Sequence, residues 1–127
     1  MRAEADGEPA VVSLCNCVEC QRRTGSPFGV GAYYEASQVR LFGRSTIYER
    51  QVEARALRFH FCPGCGSTVY WEAANHPGRY GIAVGAFADP HFPKPARSVF
   101  ERSRHDWLSF SDDIPGYTAG RDSTPSR

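Results

Sequence analysis

The chain has 127 residues, of which 41% are hydrophobic, so a single domain of ordinary size can bury a core. Fifteen basic and fourteen acidic residues leave a formal net charge of +1. This balance argues against the basic surfaces with which proteins bind nucleic acid or anionic membranes. No apolar run could span a bilayer, and the polar first nine residues lack the hydrophobic region of a signal peptide. We therefore expect a cytoplasmic protein with no nucleic-acid or membrane partner.

Short segments of alternating polarity predict a mainly β fold of antiparallel strands. A two-turn helix is expected over Val18–Thr24, closed by Gly25. The predicted strands cover residues 27–34, 38–42, 46–50, 56–61, 67–72 and 80–87, and one helical turn is predicted over 89–92. The polar residues 111–127 predict a flexible C-terminal tail, which leaves residues 1–110 as a single domain.

Five cysteines lie in two tight clusters. Cys15, Cys17 and Cys20 form a C-x-C-x-x-C motif, and Cys62 and Cys65 form a C-x-x-C motif. Residues two apart in an extended segment face the same side, and a turn after the second cysteine would bring the third one back. In a reducing compartment, clustered thiols bind metal or do chemistry more often than they form disulfides. Both spacings therefore predict metal binding, by default of zinc.

The number of cysteines limits which metal sites can form. Two closed zinc sites would need eight ligands, and five thiols cannot supply them. The chain could hold one four-thiolate site with a spare cysteine, or a three-thiolate site beside an incomplete pair. Three protein ligands and an open fourth position are typical of catalytic zinc.

The segment after the first cluster is a candidate anion-binding site. Guanidinium groups, a hydroxyl group and turn amides beside a zinc ion could hold a small anion by charge-assisted hydrogen bonds. Equally, these residues could be a solvated helix end with its glycine cap. The candidates are Arg22, Arg23, Thr24, Gly25, Ser26 and Phe28.

Other reactive residues give no motif. His60 lies on the strand face opposite Leu57, Phe59 and Phe61, which predicts a surface or half-buried histidine and not a ligand. No Ser-His-Asp order or phosphate loop is present.

Two motifs give the sequence a family resemblance. C-N-C-V-E-C-Q-R-R-T-G-S-P-F at residues 15–28 and F-C-P-G-C-G-S at 61–67 resemble the family of glutathione-dependent formaldehyde-activating enzyme and centromere protein V. Further matches are A-V-G-A-F-A-D-P at 83–90 and S-R-H-D-W at 103–107, so that the resemblance spans about residues 8–107.

The resemblance implies a small zinc-binding antiparallel β fold of the Mss4-like (β-tent) type. It assigns Cys15, Cys17 and Cys20 to the zinc of catalysis or thiol binding. It makes Cys62 and Cys65 half of a structural four-cysteine site. The implied activity is that of a carbon–sulfur lyase, which joins formaldehyde to a small thiol such as glutathione as S-hydroxymethylglutathione.

The sequence departs from this family at two places. The first-strand C-x-C-G motif, which would supply the other half of the structural site, is absent, and we expect the Cys62/Cys65 site to be incomplete. The missing strand would leave an unpaired sheet edge, which favours a homodimer. Ser98 stands where family members often carry histidine. The alternative to an enzyme is a zinc-stapled binding module without catalysis.

Overall fold

The computed structural model describes residues 1–127 and consists mainly of β-strands. Its strands are β1 (Arg2–Ala5), β2 (Val11–Cys15), β3 (Gly29–Glu35), β4 (Val39–Phe42), β5 (Thr46–Val52), β6 (Arg55–Phe61), β7 (Thr68–Ala73), β8 (Arg79–Ala83) and β9 (Arg97–Val99). The helices are α1 (Val18–Thr24) and α2 (Val84–Phe87), with 3₁₀ turns at Ala36–Gln38 and Glu101–Ser103. Neither helix has the length and hydropathy of a membrane span.

The chain forms two compact units. The first contains Met1–Ala10 and Ala32–Pro90, and the second contains Val11–Gly31 and His91–Arg127. That residues 1–110 form a single domain remains a prediction.

In the first unit, β5, β6, β7 and β8 form consecutive antiparallel pairs, β3 is the next neighbour of β8, and β1 pairs separately with β4. Strands β5 and β6 form a hairpin in which Val52 is paired with Arg55. The two residues between them, Glu53 and Ala54, both have positive φ, at 50° and 65°. Two-residue turns of this kind match the twist of paired strands. The hairpin register is therefore set by its tight turn.

The core of the first unit follows the alternation of its strands. Phe59 on β6 packs with Trp71 and Ala73 on β7, and the rings of Phe59 and Trp71 are 5.7 Å apart. Trp71 lies opposite Gly81 in the β7–β8 ladder. A Cβ atom at Gly81 would come 2.2 Å from Trp71 Nε1, so the indole ring needs a glycine there.

The second unit is built around a parallel pair of strands. Strand β2 runs parallel to β9, with Leu14 opposite Ser98 and Cys15 opposite Val99. The C-terminal segment pairs back on β9, since Tyr117 donates its N–H to the Ser98 carbonyl at 2.9 Å. That residues 111–127 form a flexible tail remains a prediction. The hydrogen bonds between this segment and β9 would have to break for the tail to move.

The predicted fold class is confirmed, and so is helix α1. Gly25 ends this helix with φ 66° and donates its N–H to the Gln21 carbonyl at 2.8 Å. The structure differs over residues 80–92. Strand β8 ends at Ala83, and the helical turn comes at Val84–Phe87, before the predicted 89–92. Ala88 closes this turn with φ 50°. The alternation of polar and apolar residues does not reveal that the strand ends and a helical turn begins here.

Candidate metal centre

The three cysteines of the first cluster converge on one point of the second unit. Cys15 is the last residue of β2, Cys17 is the N-cap of α1, and Cys20 lies in the first turn of that helix. Their sulfur atoms all lie within 4.8 Å of one another. Cys17 Sγ accepts the N–H of Cys20 at 3.3 Å, so a thiol performs the capping that Ser or Asp usually performs.

The sulfur cluster fits the requirements of a zinc ion. With Zn–S bonds of about 2.3 Å, thiolates in a tetrahedral site lie about 3.8 Å apart. The sulfur separations in the observed cluster, all within 4.8 Å, are compatible with this spacing. All three residues are half-buried, so that one side of the cluster is shielded from water. Cys15, Cys17 and Cys20 can therefore hold a metal, as predicted.

The thiols differ strongly in acidity. Hydrogen bonds from Cys15 and Cys20 lower the pKa of Cys17 far below its usual range. Hydrogen bonds to Cys17 and Cys20, followed by burial, raise the pKa of Cys15. For Cys20, the bond to Cys15 lowers the pKa, but the bond to Cys17 and burial outweigh it. Cys17 is thus the first of the three to carry negative charge, and its neighbours serve as donors to it.

A buried asparagine holds the loop between the first two cysteines. Asn16 is completely buried. Its Nδ2 donates to Ser98 Oγ at 3.0 Å and to the Val99 carbonyl at 2.9 Å. Its main-chain N–H also donates to the Val99 carbonyl, at 3.0 Å. The loop is therefore fastened to β9 by side-chain and main-chain bonds.

A buried carboxylate extends this network toward the C-terminal segment. The Glu101 side chain is 3% exposed and lies 3.0 Å from Arg127 Nη2. Burial raises the pKa of Glu101, but hydrogen bonds from Arg127, Ser126 and Ser98 outweigh it and lower the pKa overall. Asn16, Ser98, Glu101 and Arg127 thus form one chain of contacts, which we call the loop-support network.

Gln21 fixes the start of helix α1 from a second direction. Its Nε2 donates to the carbonyls of Asn16 at 2.9 Å and Ser103 at 3.0 Å. Its Oε1 lies 2.9 Å from His105 Nε2. The one side chain therefore joins the cysteine loop to the segment after β9.

The predicted anion-binding residues occupy the end of α1 and the turn after it. Thr24 Oγ1 donates to the Cys20 carbonyl at 2.8 Å and accepts the N–H of Ser26 at 3.1 Å. The Arg22 side chain is 74% exposed and lies 3.5 Å from Glu19. A Cβ atom at Gly29 would be 3.1 Å from Arg23 Nη2, so this guanidinium lies over the start of β3. A role in substrate binding remains a prediction for all six.

The second unit also contains two aromatic contacts. Phe28 packs edge-on against Phe110, with ring centroids 5.7 Å apart. Trp107 is 73% exposed, and its ring lies 6.4 Å from that of His105. Such an exposed indole is available to a ligand.

The second cysteine cluster occupies an exposed turn of the first unit. Cys62 follows the last residue of β6, and Gly66 closes the turn with φ 77°. Cys65 Sγ lies 3.3 Å from Ser67 Oγ, and this bond is the main cause that lowers the pKa of Cys65. No third potential ligand joins the pair within its unit. Metal binding by Cys62 and Cys65 remains a prediction.

The residues that support the cysteine loop carry no recognisable motif in the sequence. In the sequence, Asn16 and Gln21 look like ordinary polar residues. Their supporting contacts become visible only when β9 is known to lie beside β2. In the sequence, Ser98 differs from its neighbours only as a departure from the family pattern. A short polar residue between two ligands, directly after an apolar strand, is the signal that could have indicated the buried contact.

Comparisons with known proteins agree with this architecture. The family model described as glutathione-dependent formaldehyde-activating enzyme matches residues 1–103. A crystal structure of a Rhodobacter sphaeroides protein aligns with 23% sequence identity over 65% of this chain and 75% of that chain, with a TM-score of 0.52. This likeness concerns the fold alone. No curated protein matches the sequence. Since the family model covers most of the chain, the chain belongs to the glutathione-dependent formaldehyde-activating enzyme family.

Proposed function

We propose that the chain binds zinc at Cys15, Cys17 and Cys20 and acts there on a small thiol such as glutathione. The proposed reaction is of the S-hydroxymethylglutathione synthase type, in which a carbon–sulfur bond forms or breaks. The observation that carries this proposal is the convergence of three sulfur atoms within 4.8 Å, with no fourth His, Cys, Asp or Glu in the group.

Three ligands leave one place for a substrate. A bound zinc ion would supply Lewis acidity, which keeps a thiol deprotonated near neutral pH. The residues around it would have to orient that thiol and hold the second reactant within reach. The exposed aromatic Trp107 is the group that we assign to this task.

Arg23 supplies charge to the site. The pKa of Cys20 is raised overall, and the positive charge of Arg23 is one of the causes that oppose this rise, so it acts on the cluster directly. Three thiolates and one zinc ion together carry a net charge of −1, which would repel an anionic substrate. We infer that Arg23 offsets this repulsion, while the more exposed Arg22 contributes less because water screens it.

We assign the proposed reaction to the cytoplasm, with the small thiol or its adduct as the partner. The zinc of the triad is the cofactor. A second zinc at Cys62 and Cys65 would need ligands from elsewhere, such as a second copy of the chain in a homodimer. A non-catalytic zinc-stapled module is the alternative.

Calorimetric titration of the zinc-loaded protein with glutathione tests the proposal. We expect saturable binding, together with a change in the thiolate charge-transfer bands of the cobalt-substituted protein. S-methylglutathione, whose sulfur cannot ionise, is the control ligand and should leave those bands unchanged. An Arg23→Gln variant should bind glutathione ~10-fold more weakly, and Arg22→Gln should differ little.

Two results would contradict the proposal. One is the absence of binding heat and of any spectral change in protein with a full complement of zinc, which supports the binding module. The other is equal binding of glutathione and its S-methyl derivative, which shows that the sulfur does not reach the metal.

A further inference from the structure

The first unit contains a second group of reactive side chains that the metal chemistry does not use. His60 is buried on β6, with 7% of its surface exposed. Its Nδ1 lies 2.8 Å from Ser45 Oγ, and its Nε2 lies 2.8 Å from Glu72 Oε2. A hydroxyl, an imidazole and a carboxylate are thereby joined in one line, which is the arrangement that activates serine nucleophiles.

The sheet register explains why these three residues meet. His60 pairs with Ile47 on one side and with Tyr70 on the other. Directly paired residues share a face, and so do residues two apart on one strand. Ser45 precedes Ile47 by two positions, and Glu72 follows Tyr70 by two. The imidazole therefore spans the sheet between two diagonal neighbours.

Hydrogen-bond chemistry fixes the roles of the two ring nitrogens. A carboxylate only accepts, so the Nε2 that faces Glu72 carries the proton in the neutral ring. The lone pair of Nδ1 is then directed at the Ser45 hydroxyl. The ring of Tyr70 stacks on the imidazole with centroids 4.2 Å apart, which holds its plane. His60 is thus oriented as a general base toward Ser45.

The surroundings of Ser45 suit a small apolar acyl group. Ser45 is half-buried and lies in the turn before β5, so its hydroxyl is both held and reachable. Ile47 on the same face is 42% exposed and offers an apolar contact. Burial raises the pKa of Tyr70, and the nearby Ser45 hydroxyl partly opposes this rise. The Tyr70 phenol can therefore donate to an oxygen that gains charge at this point.

We propose that Ser45, His60 and Glu72 form a second reactive site, which accepts the acyl group of small activated esters. Ser45 Oγ attacks the ester carbonyl carbon as its proton passes to His60 Nδ1. The ester bond breaks, and the alcohol or phenol leaves with that proton. Water then attacks the acyl-serine by the same path in reverse and releases the acid. Glu72 is the positioning residue, since it acts through the imidazole.

Covalent labelling of the intact protein tests this site. A fluorophosphonate probe should modify Ser45 of the wild type, as located by peptide mass spectrometry, with loss of fluoride. p-Nitrophenyl acetate should give a burst of nitrophenol approaching one per chain. Ser45→Ala should abolish both signals, and the exposed Ser37→Ala is the matched control that should keep them.

Glu72→Gln separates positioning from a purely structural role. This variant keeps the hydrogen-bonding shape but favours the wrong tautomer of His60, so we expect acylation to slow ~10²-fold or more while the thermal midpoint changes little. A folded wild type without label or burst would overturn the proposal. Labelling that persists in Ser45→Ala, or an unchanged acylation rate in Glu72→Gln, would overturn it as well.

Discussion

The two cysteine clusters differ in how firmly the surrounding residues hold their side chains. The triad of Cys15, Cys17 and Cys20 is half-buried and is joined by the buried Asn16 to the loop-support network. Cys65 lies in an exposed turn and has Ser67 as its side-chain partner outside the pair. A metal site needs ligands whose positions are fixed by a second layer of contacts. By this measure the triad is a prepared site, and the pair is not.

The largest effect should come from removing one ligand of the triad. Cys17→Ser takes away a thiolate but keeps a hydroxyl that can cap α1, so we expect zinc affinity to fall by at least ~10²-fold while the helix is retained. Competition with a chromogenic chelator, followed by elemental analysis, measures this. Cys65→Ser is the matched control and should retain the zinc of the triad. Equal losses in both variants would show that the two clusters do not differ as proposed.

A smaller effect is expected from crowding the loop-support network. A Cβ atom at Gly116 would come 2.5 Å from Glu101 Oε2, whereas one at Gly120 would meet nothing within 4 Å. We expect Gly116→Ala to lower the free energy of unfolding by about 1–3 kcal/mol and zinc affinity by ~10-fold. Urea unfolding and chelator competition measure the two. If Gly120→Ala lowers the free energy of unfolding and the zinc affinity equally, the loop-support network does not stabilise the cysteine loop.

The smallest effect concerns the reactivity of the exposed pair. In reduced, metal-free protein, Cys65 should be alkylated ~10-fold faster than Cys15, because its pKa is lowered and that of Cys15 is raised. Timed iodoacetamide labelling with peptide mass spectrometry gives both rates. Ser67→Ala removes the main cause of the lowered pKa and should slow only Cys65, with Ser37→Ala as control. If Cys15 is labelled faster than Cys65, the proposed difference in burial and thiol acidity between the two cysteines is wrong.

The sequence predicted those features that depend on local pattern. The spacing of Cys15, Cys17 and Cys20 and the glycine after Thr24 were sufficient to place the triad on a strand end and a short helix. Alternation along β6 indicated Leu57 and Phe59 as its core face, with Phe59 in the observed core. These signals lie within a few residues of one another, so no tertiary information was needed.

Features that depend on distant pairing could not be predicted. His60 was expected to be exposed or half-buried, yet it is buried between Ser45 and Glu72. The short β9 carries only three residues, too few for alternation to be recognised. Ser98 gains its role only when β9 lies parallel to β2. In each case the deciding contact joins segments whose pairing no local pattern encodes.

The bond from Asn16 to Ser98 also sets an order of events during synthesis. The two residues are 82 positions apart, and the arginine that holds Glu101 is made later still. A ribosome-bound chain that has not reached β9 therefore presents three adjacent thiols whose loop lacks its anchor. Until that strand emerges, these sulfurs can react with oxidants and bind competing ions. In the finished protein, the anchored loop holds the same sulfurs in a preformed geometry.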